Sequence, residues 1–267
     1  MIRNLDELIG YDVISSEGED IGQIRDFYFD SNELVIRYAI VDTGGWLTGR
    51  KVLLSPDSFE KPDWDAEVFP VTLTKDEIEE SPSIDEKKPV SRQMEVDLAE
   101  YYNWPPYWAP IPGNTTNAYG GTYPVRALPF ESDPFKDEDT EKDKKEKEKE
   151  EDKACDDETC YLRSVIEVQG YNIEALDGNI GHLETLLISD ENWVIHYLVI
   201  DTRNWLPGKK VLVAPEWMRR ISFTEQEVTV ELHKDTIKSS PEYDPDIPID
   251  REYEEDLYIH YGKDPYW

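Results

Sequence analysis

The sequence has few cysteines and no long apolar segment, and each shortage excludes a class of protein. Its 267 residues include two cysteines, Cys155 and Cys160, too few for the disulfide framework of a small secreted domain. Their C-x4-C spacing without nearby histidine is a poor zinc site, so we expect reduced thiols and no metal. No stretch reaches the about 18–20 apolar residues of a membrane span, and a secretory signal pattern is lacking. We therefore expect a cytoplasmic chain without a transmembrane segment.

Basic residues are also scarce. There are 28 Lys and Arg against 60 Asp and Glu, which gives a formal net charge of −32. Nucleic acids are bound through Lys and Arg that displace counterions from the phosphates, so such a chain would be repelled. We expect no direct nucleic-acid binding. A basic partner, a polyvalent cation or a neutral surface stays open, and the charge could also serve only to keep the protein in solution.

What the sequence does contain is an internal duplication. Residues 2–13 align with 162–173, and residues 23–108 align without a gap with 182–267, with about a third of these positions identical. Each copy has about 105 residues, which is an ordinary domain size. We predict a first domain at 1–108 (copy 1) and a second at 161–267 (copy 2).

The segment between the copies, residues 109–160, has a different composition. Its first part is rich in Pro, Gly, Tyr and Asn, and residues 131–160 consist almost wholly of Lys, Glu and Asp. Because these charged residues offer no apolar face to bury, we predict a disordered or loosely helical linker.

The first half of each copy has the pattern of short strands. In copy 1 they are predicted at 11–15, 21–30, 34–42, 51–55 and 69–73, separated by Gly- and Asn-containing turns. The run at 34–42 is nearly continuous in apolar and β-branched residues, which indicates a buried central strand. The pattern predicts a mainly β chain in which each copy is a small antiparallel sheet curled into a barrel. It does not give the order of the strands.

The end of each copy changes to helical periodicity. Thr74 and Glu77 form a capping-box pattern, and Ser91 and Asp250 are suitable N-caps at equivalent positions. An apolar stripe at i, i+4 and i+8 follows each N-cap and predicts a C-terminal helix. The stripes are Met94, Leu98 and Tyr102 in copy 1, and Tyr253, Leu257 and Tyr261 in copy 2.

Aromatic residues concentrate around the end of that helix and are the candidate interaction residues. They are Tyr102, Trp104, Tyr107 and Trp108 in copy 1, and Tyr261, Tyr266 and Trp267 in copy 2. So many large rings are not expected on a free tail. Either each tail folds back over its own barrel, or it packs across the two copies or onto another protein. Trp46 and Trp205, in the loop after the central strand, are either lids on the core or anchors for a partner.

Motifs present in both copies resemble one family. Residues 41–56, with the sequence VDTGGWLTGRKVLLSP, and Gly10-Tyr11-Asp12-Val13 resemble the PRC-barrel family, and residues 201–215 resemble it again. This family supplies the cytoplasmic domain of the photosynthetic reaction centre H subunit and the second domain of a ribosome-maturation factor. The resemblance implies two PRC-type barrels acting as adaptors. It implies no shared active site, and therefore no catalytic or cofactor-binding residues.

The four histidines do not provide a shared site either. All of them, His182, His196, His233 and His260, lie in copy 2, and none has a histidine at the equivalent position of copy 1. We therefore predict a non-catalytic adaptor whose partner is another protein, or which self-associates. The alternative, implied by the resemblance, is a regulatory or structural component of a photosynthetic or other electron-transport complex.

Overall fold

The two copies fold with nearly the same order of elements. This computed structural model describes residues 1–47, 49–82, 84, 90–108, 162–202 and 209–267. The predicted linker at 109–160 and its two cysteines lie outside these ranges. Copy 1 consists of β1 (Ile2–Asn4), α1 (Leu5–Leu8), β2 (Asp12–Ile14), β3 (Asp20–Asp30), β4 (Val35–Asp42), β5 (Lys51–Leu54), a 3₁₀ turn (Pro56–Ser58), β6 (Val68–Pro70), α2 (Lys75–Glu80) and α3 (Arg92–Tyr102). Copy 2 consists of β7 (Leu162–Ser164), α4 (Val165–Val168), β8 (Asn172–Ala175), β9 (Gly178–Ser189), β10 (Ile195–Asp201), β11 (Lys210–Val213), a 3₁₀ turn (Pro215–Trp217), β12 (Met218–Ser222), β13 (Glu227–Val230), α5 (Lys234–Ser239) and α6 (Arg251–Tyr261).

Local sequence signals account for most of these elements. The predicted central strand is β4, in which every residue except Asp42 is buried. The capping box at Thr74 and Glu77 forms at the start of α2, with both reciprocal bonds present. Ser91 and Asp250 cap α3 and α6 by accepting a backbone N–H three residues on. The strands, the caps and the C-terminal helices are thus confirmed.

The sheets differ from the predicted antiparallel pattern in one respect. The strand orders are β5-β4-β3-β2-β6 in copy 1 and β11-β10-β9-β8-β13-β12 in copy 2, and these paths do not close into a ring. The pairs β2–β6 and β8–β13 are parallel, so each sheet is mixed. A parallel neighbour requires a long crossover, and here the chain between the two strands includes β3, β4 and β5. The prediction of purely antiparallel sheets is wrong at this pair.

The first strand of each copy pairs with the other copy. β1 runs antiparallel to β9, and β7 runs antiparallel to β3. The tips of the β3–β4 and β9–β10 hairpins also bond to each other, because Ile36 N–H donates to Trp193 O and Ile195 N–H donates to Leu34 O, at 2.9 and 2.8 Å. This exchange is reciprocal and follows the internal repeat.

The hydrophobic core, like the sheets, includes residues of both copies. A single cluster of buried side chains contains residues of both copies. Leu5 and Leu8 of α1 are almost fully buried, as are Val165 and Val168 of α4. The size of each copy is that of an ordinary domain, whereas the structure has a core that continues across both copies.

Glycine is required where β3 approaches the end of β4. Gly22 has φ +138°, and a Cβ built there would lie 2.0 Å from Asp42 O. The equivalent Gly181, at φ +153°, would place a Cβ 2.1 Å from Asp201 O. Both the backbone conformation and the closeness of the neighbouring strand exclude a side chain.

We therefore expect Gly22→Ala to lower the free energy of unfolding by more than about 2 kcal/mol, because the clash is with backbone that cannot rotate away. Gly45→Ala is the matched control, since a Cβ at Gly45 would have no atom within 4 Å and its φ is not positive. Urea unfolding followed by tryptophan fluorescence measures both. Equal stability of the two variants would contradict the close approach.

Candidate interaction surface

The C-terminal helix of each copy ends in a left-handed residue that turns the chain back. In α3 this residue is Asn103, with φ 55°, and Trp104 N–H donates to Ala99 O at 2.9 Å. In α6 it is Gly262, with φ 62°, and Lys263 N–H donates to Tyr258 O at 3.0 Å. This C-cap geometry directs the residues after each helix, 104–108 and 263–267, back along it. We call these two segments the tails.

A buried glutamate holds the tail of copy 1. Glu95 on α3 is 3% exposed and accepts hydrogen bonds from Tyr107 OH at 2.5 Å and from Tyr38 OH at 3.4 Å. Arg92 Nη1 lies 3.0 Å from Glu95 Oε1. Burial raises the pKa of Glu95, while the bond from Tyr107 and the charge of Arg92 oppose that rise. Donors on three sides are what a carboxylate at this depth needs.

Copy 2 repeats the arrangement with equivalent residues. Glu254 on α6 is 6% exposed and accepts from Tyr197 OH at 2.7 Å and from Tyr266 OH at 2.9 Å. Arg251 Nη1 lies 3.1 Å from Glu254 Oε2. The tail of copy 2 is therefore fixed to α6 and to β10 through the carboxylate of Glu254.

Arginines also hold the ring faces of the tails. The Arg92 guanidinium lies 4.4 Å from the centre of Trp108, and Arg251 lies 4.0 Å from the centre of Trp267. Such cation–π contacts contribute about 0.5–1 kcal/mol each at exposed sites. The predicted alternative in which each tail folds back over its own copy is the arrangement in the structure.

The copies differ beside the tail tyrosine. In copy 1 the Arg37 guanidinium stacks on Tyr107, 3.8 Å from the ring centre. In copy 2 the equivalent residue is His196, whose ring centre lies 5.1 Å from that of Tyr266 in an edge-on contact. Burial lowers the pKa of His196, so this position carries a fixed cation only in copy 1.

The tail rings are held in place and yet reach the surface. Tyr266 and Trp267 are 46% and 44% exposed, although both contact the ring of Tyr258. In copy 1 Tyr107 and Trp108 are half-buried. They line a small pocket, and its other lining residues are Ile36, Arg37, Tyr38, Ser55, Pro56, Asp57, Ala99, Trp104, Pro105 and Pro106.

The other predicted interaction residues that the structure describes make contacts within the protein. Trp46 is half-buried, its Nε1 donates to Ile21 O at 2.8 Å, and Lys75 Nζ lies 4.6 Å from its ring centre. Tyr102 stacks on Trp104 with ring centres 4.2 Å apart. Tyr261 is buried, with its ring centre 4.6 Å from that of Trp217. Trp205 lies outside the described residues.

The residues that hold the tails are not evident from the sequence. Glu95 and Tyr38 do not stand out there, and neither do Glu254 and Tyr197, because a glutamate on a helix and a tyrosine in a strand are ordinary in isolation. One signal could have found them: Tyr38, Arg92 and Glu95 are identical to their counterparts in copy 2. A charged residue kept in both copies inside an apolar face indicates a buried ion pair.

Two further findings concern the described residues only. They include no group of three or more His, Cys, Asp or Glu side chains arranged to hold a metal ion. Within the same ranges, no helix has the length and apolar character needed to cross a membrane.

The fold and the comparison with known families agree. Each copy is a small mixed β-domain followed by a C-terminal helix. Residues 2–76 match the PRC-barrel domain family, so copy 1 carries a PRC-barrel domain and the predicted resemblance is confirmed. Copy 2 has nearly the same elements, with β12 in addition, so the fold of the chain is broadly consistent with two PRC-type domains. No curated protein matches the chain.

Removing residues 264–267 should destabilise the protein, because it deletes the Tyr266–Glu254 bond and the Trp267–Arg251 contact but leaves the Gly262 cap intact. We expect a loss of about 2–3 kcal/mol in the free energy of unfolding. Tyr266→Phe, which removes only the hydroxyl, should show a smaller loss. Thermal unfolding measures all three proteins, and an unchanged melting temperature for the truncated chain would refute a fixed tail.

Alkaline pH should weaken the fold through tyrosines whose pKa is raised in the folded state. Burial of Tyr102 and partial burial of Tyr266 raise their pKa values to about 12, from an ordinary value near 10, and the bond to Glu254 adds to the rise at Tyr266. The folded state then keeps protons that the unfolded state releases. Stability is therefore complete below about pH 10 and falls as pH rises towards about 12.

Urea unfolding at several pH values across that window measures this fall. The double variant Tyr102→Phe, Tyr266→Phe should lose less stability over the same range, since two of the shifted hydroxyls are gone. A stability that is constant or increases above pH 10 would contradict the assignment.

Proposed function

We propose that this protein is a non-catalytic adaptor that binds another protein through the aromatic tails. The observation that carries the proposal is that Tyr266 and Trp267 are exposed by nearly half and are nevertheless held by a hydrogen bond and a cation–π contact. Rings that are already ordered lose little conformational freedom when a partner covers them. Tyr and Trp are also the residues enriched among the energetic centres of protein interfaces.

The charge of the chain favours a particular kind of partner. With a net charge of −32, long-range attraction accelerates association with basic proteins and slows it with acidic ones. The arginines beneath the rings are paired with Glu95 and Glu254, so the tails themselves present mainly aromatic surface. We propose a protein partner with a basic surface surrounding an apolar patch.

Two finer parts of the proposal rest on the sequence. A location in the cytoplasm is the first of them and stays a proposal. The association with an electron-transport complex rests on the family resemblance alone and stays a prediction.

The test uses the full-length chain as bait in extracts of its source, with the double variant Tyr266→Ala, Trp267→Ala beside it. Loss of both rings should reduce recovery of the partner by at least about tenfold, as for residues at the centre of an interface. Ile259→Ala is the matched control. This side chain is apolar, lies on the same C-terminal helix and is 76% exposed, but it is not part of the tail.

Two outcomes would overturn the proposal. In the first, the double variant recovers the same proteins in the same amount as the unchanged chain. In the second, Ile259→Ala reduces recovery as strongly, which would place binding on the outer face of α6. Crosslinking from a photoreactive residue at position 267, compared with one at the fully exposed Asp235, identifies the contacting protein.

A further inference from the structure

The hairpin tips that join the two copies carry a bulky residue in a strained backbone conformation. Leu34 and Trp193 occupy equivalent positions and have φ values of 54° and 59°. Residues with a Cβ rarely adopt this region, and for large side chains it costs free energy. Something in the tertiary structure must therefore offset the cost at both tips.

Trp193 is inserted into the aromatic part of the copy 1 core. Its ring centre lies 5.2 Å from that of Phe59, 5.8 Å from that of Phe69 and 6.1 Å from that of Phe27. Only 7% of Trp193 is exposed. A side chain of one copy thus completes the core of the other.

Leu34 makes the reciprocal insertion, in aliphatic surroundings. It lines a small cavity of copy 2, together with Phe29 of its own copy. The remaining lining residues are Val168, Leu183, Leu186, Ile195, Leu198, Met218 and Ile221. The three phenylalanines around Trp193 have as their counterparts Leu186, Met218 and Val228. Copy 1 therefore offers an aromatic pocket to an aromatic tip, and copy 2 offers an aliphatic pocket to an aliphatic tip.

Polar contacts between the copies show the same preference. Gln169 Nε2 donates to Asp6 Oδ1 at 2.5 Å, and Arg3 Nε lies 3.4 Å from Asp190 Oδ2. The residue of copy 1 equivalent to Gln169 is Ile9. A pair formed by two molecules of copy 1 would therefore place Ile9 beside Asp6 and lose this bond. A pair formed by two molecules of copy 2 would lack Asp6.

We propose that this contact is a recognition interface for a second PRC-type domain, that it holds without the covalent linker, and that Trp193 makes copy 1 select copy 2. The edge of β3 that β7 covers, together with the aromatic pocket, fits a domain with an N-terminal strand and a Trp at its hairpin tip. Two strand pairs, two inserted side chains and a shared core are features of obligate interfaces. This inference does not depend on the proposed role of the tails.

The test begins with the full chain, in which a protease recognition sequence replaces residues 141–147. After cleavage of the folded protein, the two fragments should migrate together with the mass of the intact chain, 31.1 kDa, in size exclusion with light scattering. Separation into two species of about half that mass at micromolar concentration would overturn the linker-independent interface.

Selectivity is measured by unfolding the cleaved protein in urea, refolding it and weighing the complexes by native mass spectrometry. Random pairing gives as many mixed pairs as like pairs, whereas we expect at least about tenfold more mixed pairs, equivalent to about 1.4 kcal/mol. Random pairing of the unchanged fragments would overturn the selectivity. Failure of these fragments to regain the intact mass would count against the interface itself.

Trp193→Leu gives both copies the same tip residue and should bring the ratio to within about threefold of random pairing. Ile259→Ala, at an exposed position on α6, is the control and should leave the ratio unchanged. Where Trp193→Leu does not refold, Trp193→Phe keeps a ring with less contact area and should reduce the ratio in the same direction. A ratio unaffected at position 193 would refute its role as the determinant.

Discussion

The structure depends on the reciprocal exchange between the two copies. β1 completes the sheet of copy 2 and β7 completes the sheet of copy 1, so neither sheet is whole without the other half of the chain. The exchange also explains why Leu34 and Trp193 tolerate a left-handed backbone, since burial of each side chain in the opposite core offsets the strain. The two copies therefore share one hydrophobic core.

The buried glutamates fix the position of the tails at the surface. Glu95 and Glu254 lie where a helix crosses a central strand, and each is satisfied by one tyrosine from the strand and one from the tail. A carboxylate that needs two hydroxyl donors at this depth specifies where the tail must lie. The result is an aromatic surface whose order is set by a polar group beneath it.

Both copies keep the buried anchor, while their surroundings have diverged. Arg37 stacks on the tail tyrosine of copy 1, and copy 2 has His196 at the equivalent position. The tail of copy 1 has Trp104 and Pro105 where that of copy 2 has Lys263 and Asp264. The tail of copy 1 lines a small pocket, and that of copy 2 is more exposed. The two ends of the molecule therefore share a means of ordering the tail but present different surfaces to a partner.

The sequence by itself determined the duplication, the strands and caps of each copy, the C-terminal helices and the family, because these depend on local periodicity, on capping residues and on short motifs. Only the tertiary structure decided the parallel pairing of β2 with β6, the exchange of β1 and β7, and the partners of Glu95 and Glu254. Each of these joins residues far apart in the chain. Alternation along a strand states which face is buried but not which strand lies beside it. The aromatic residues of the tails can be identified in the sequence. Their fixed position depends on the carboxylates of Glu95 and Glu254, which the fold brings beneath them.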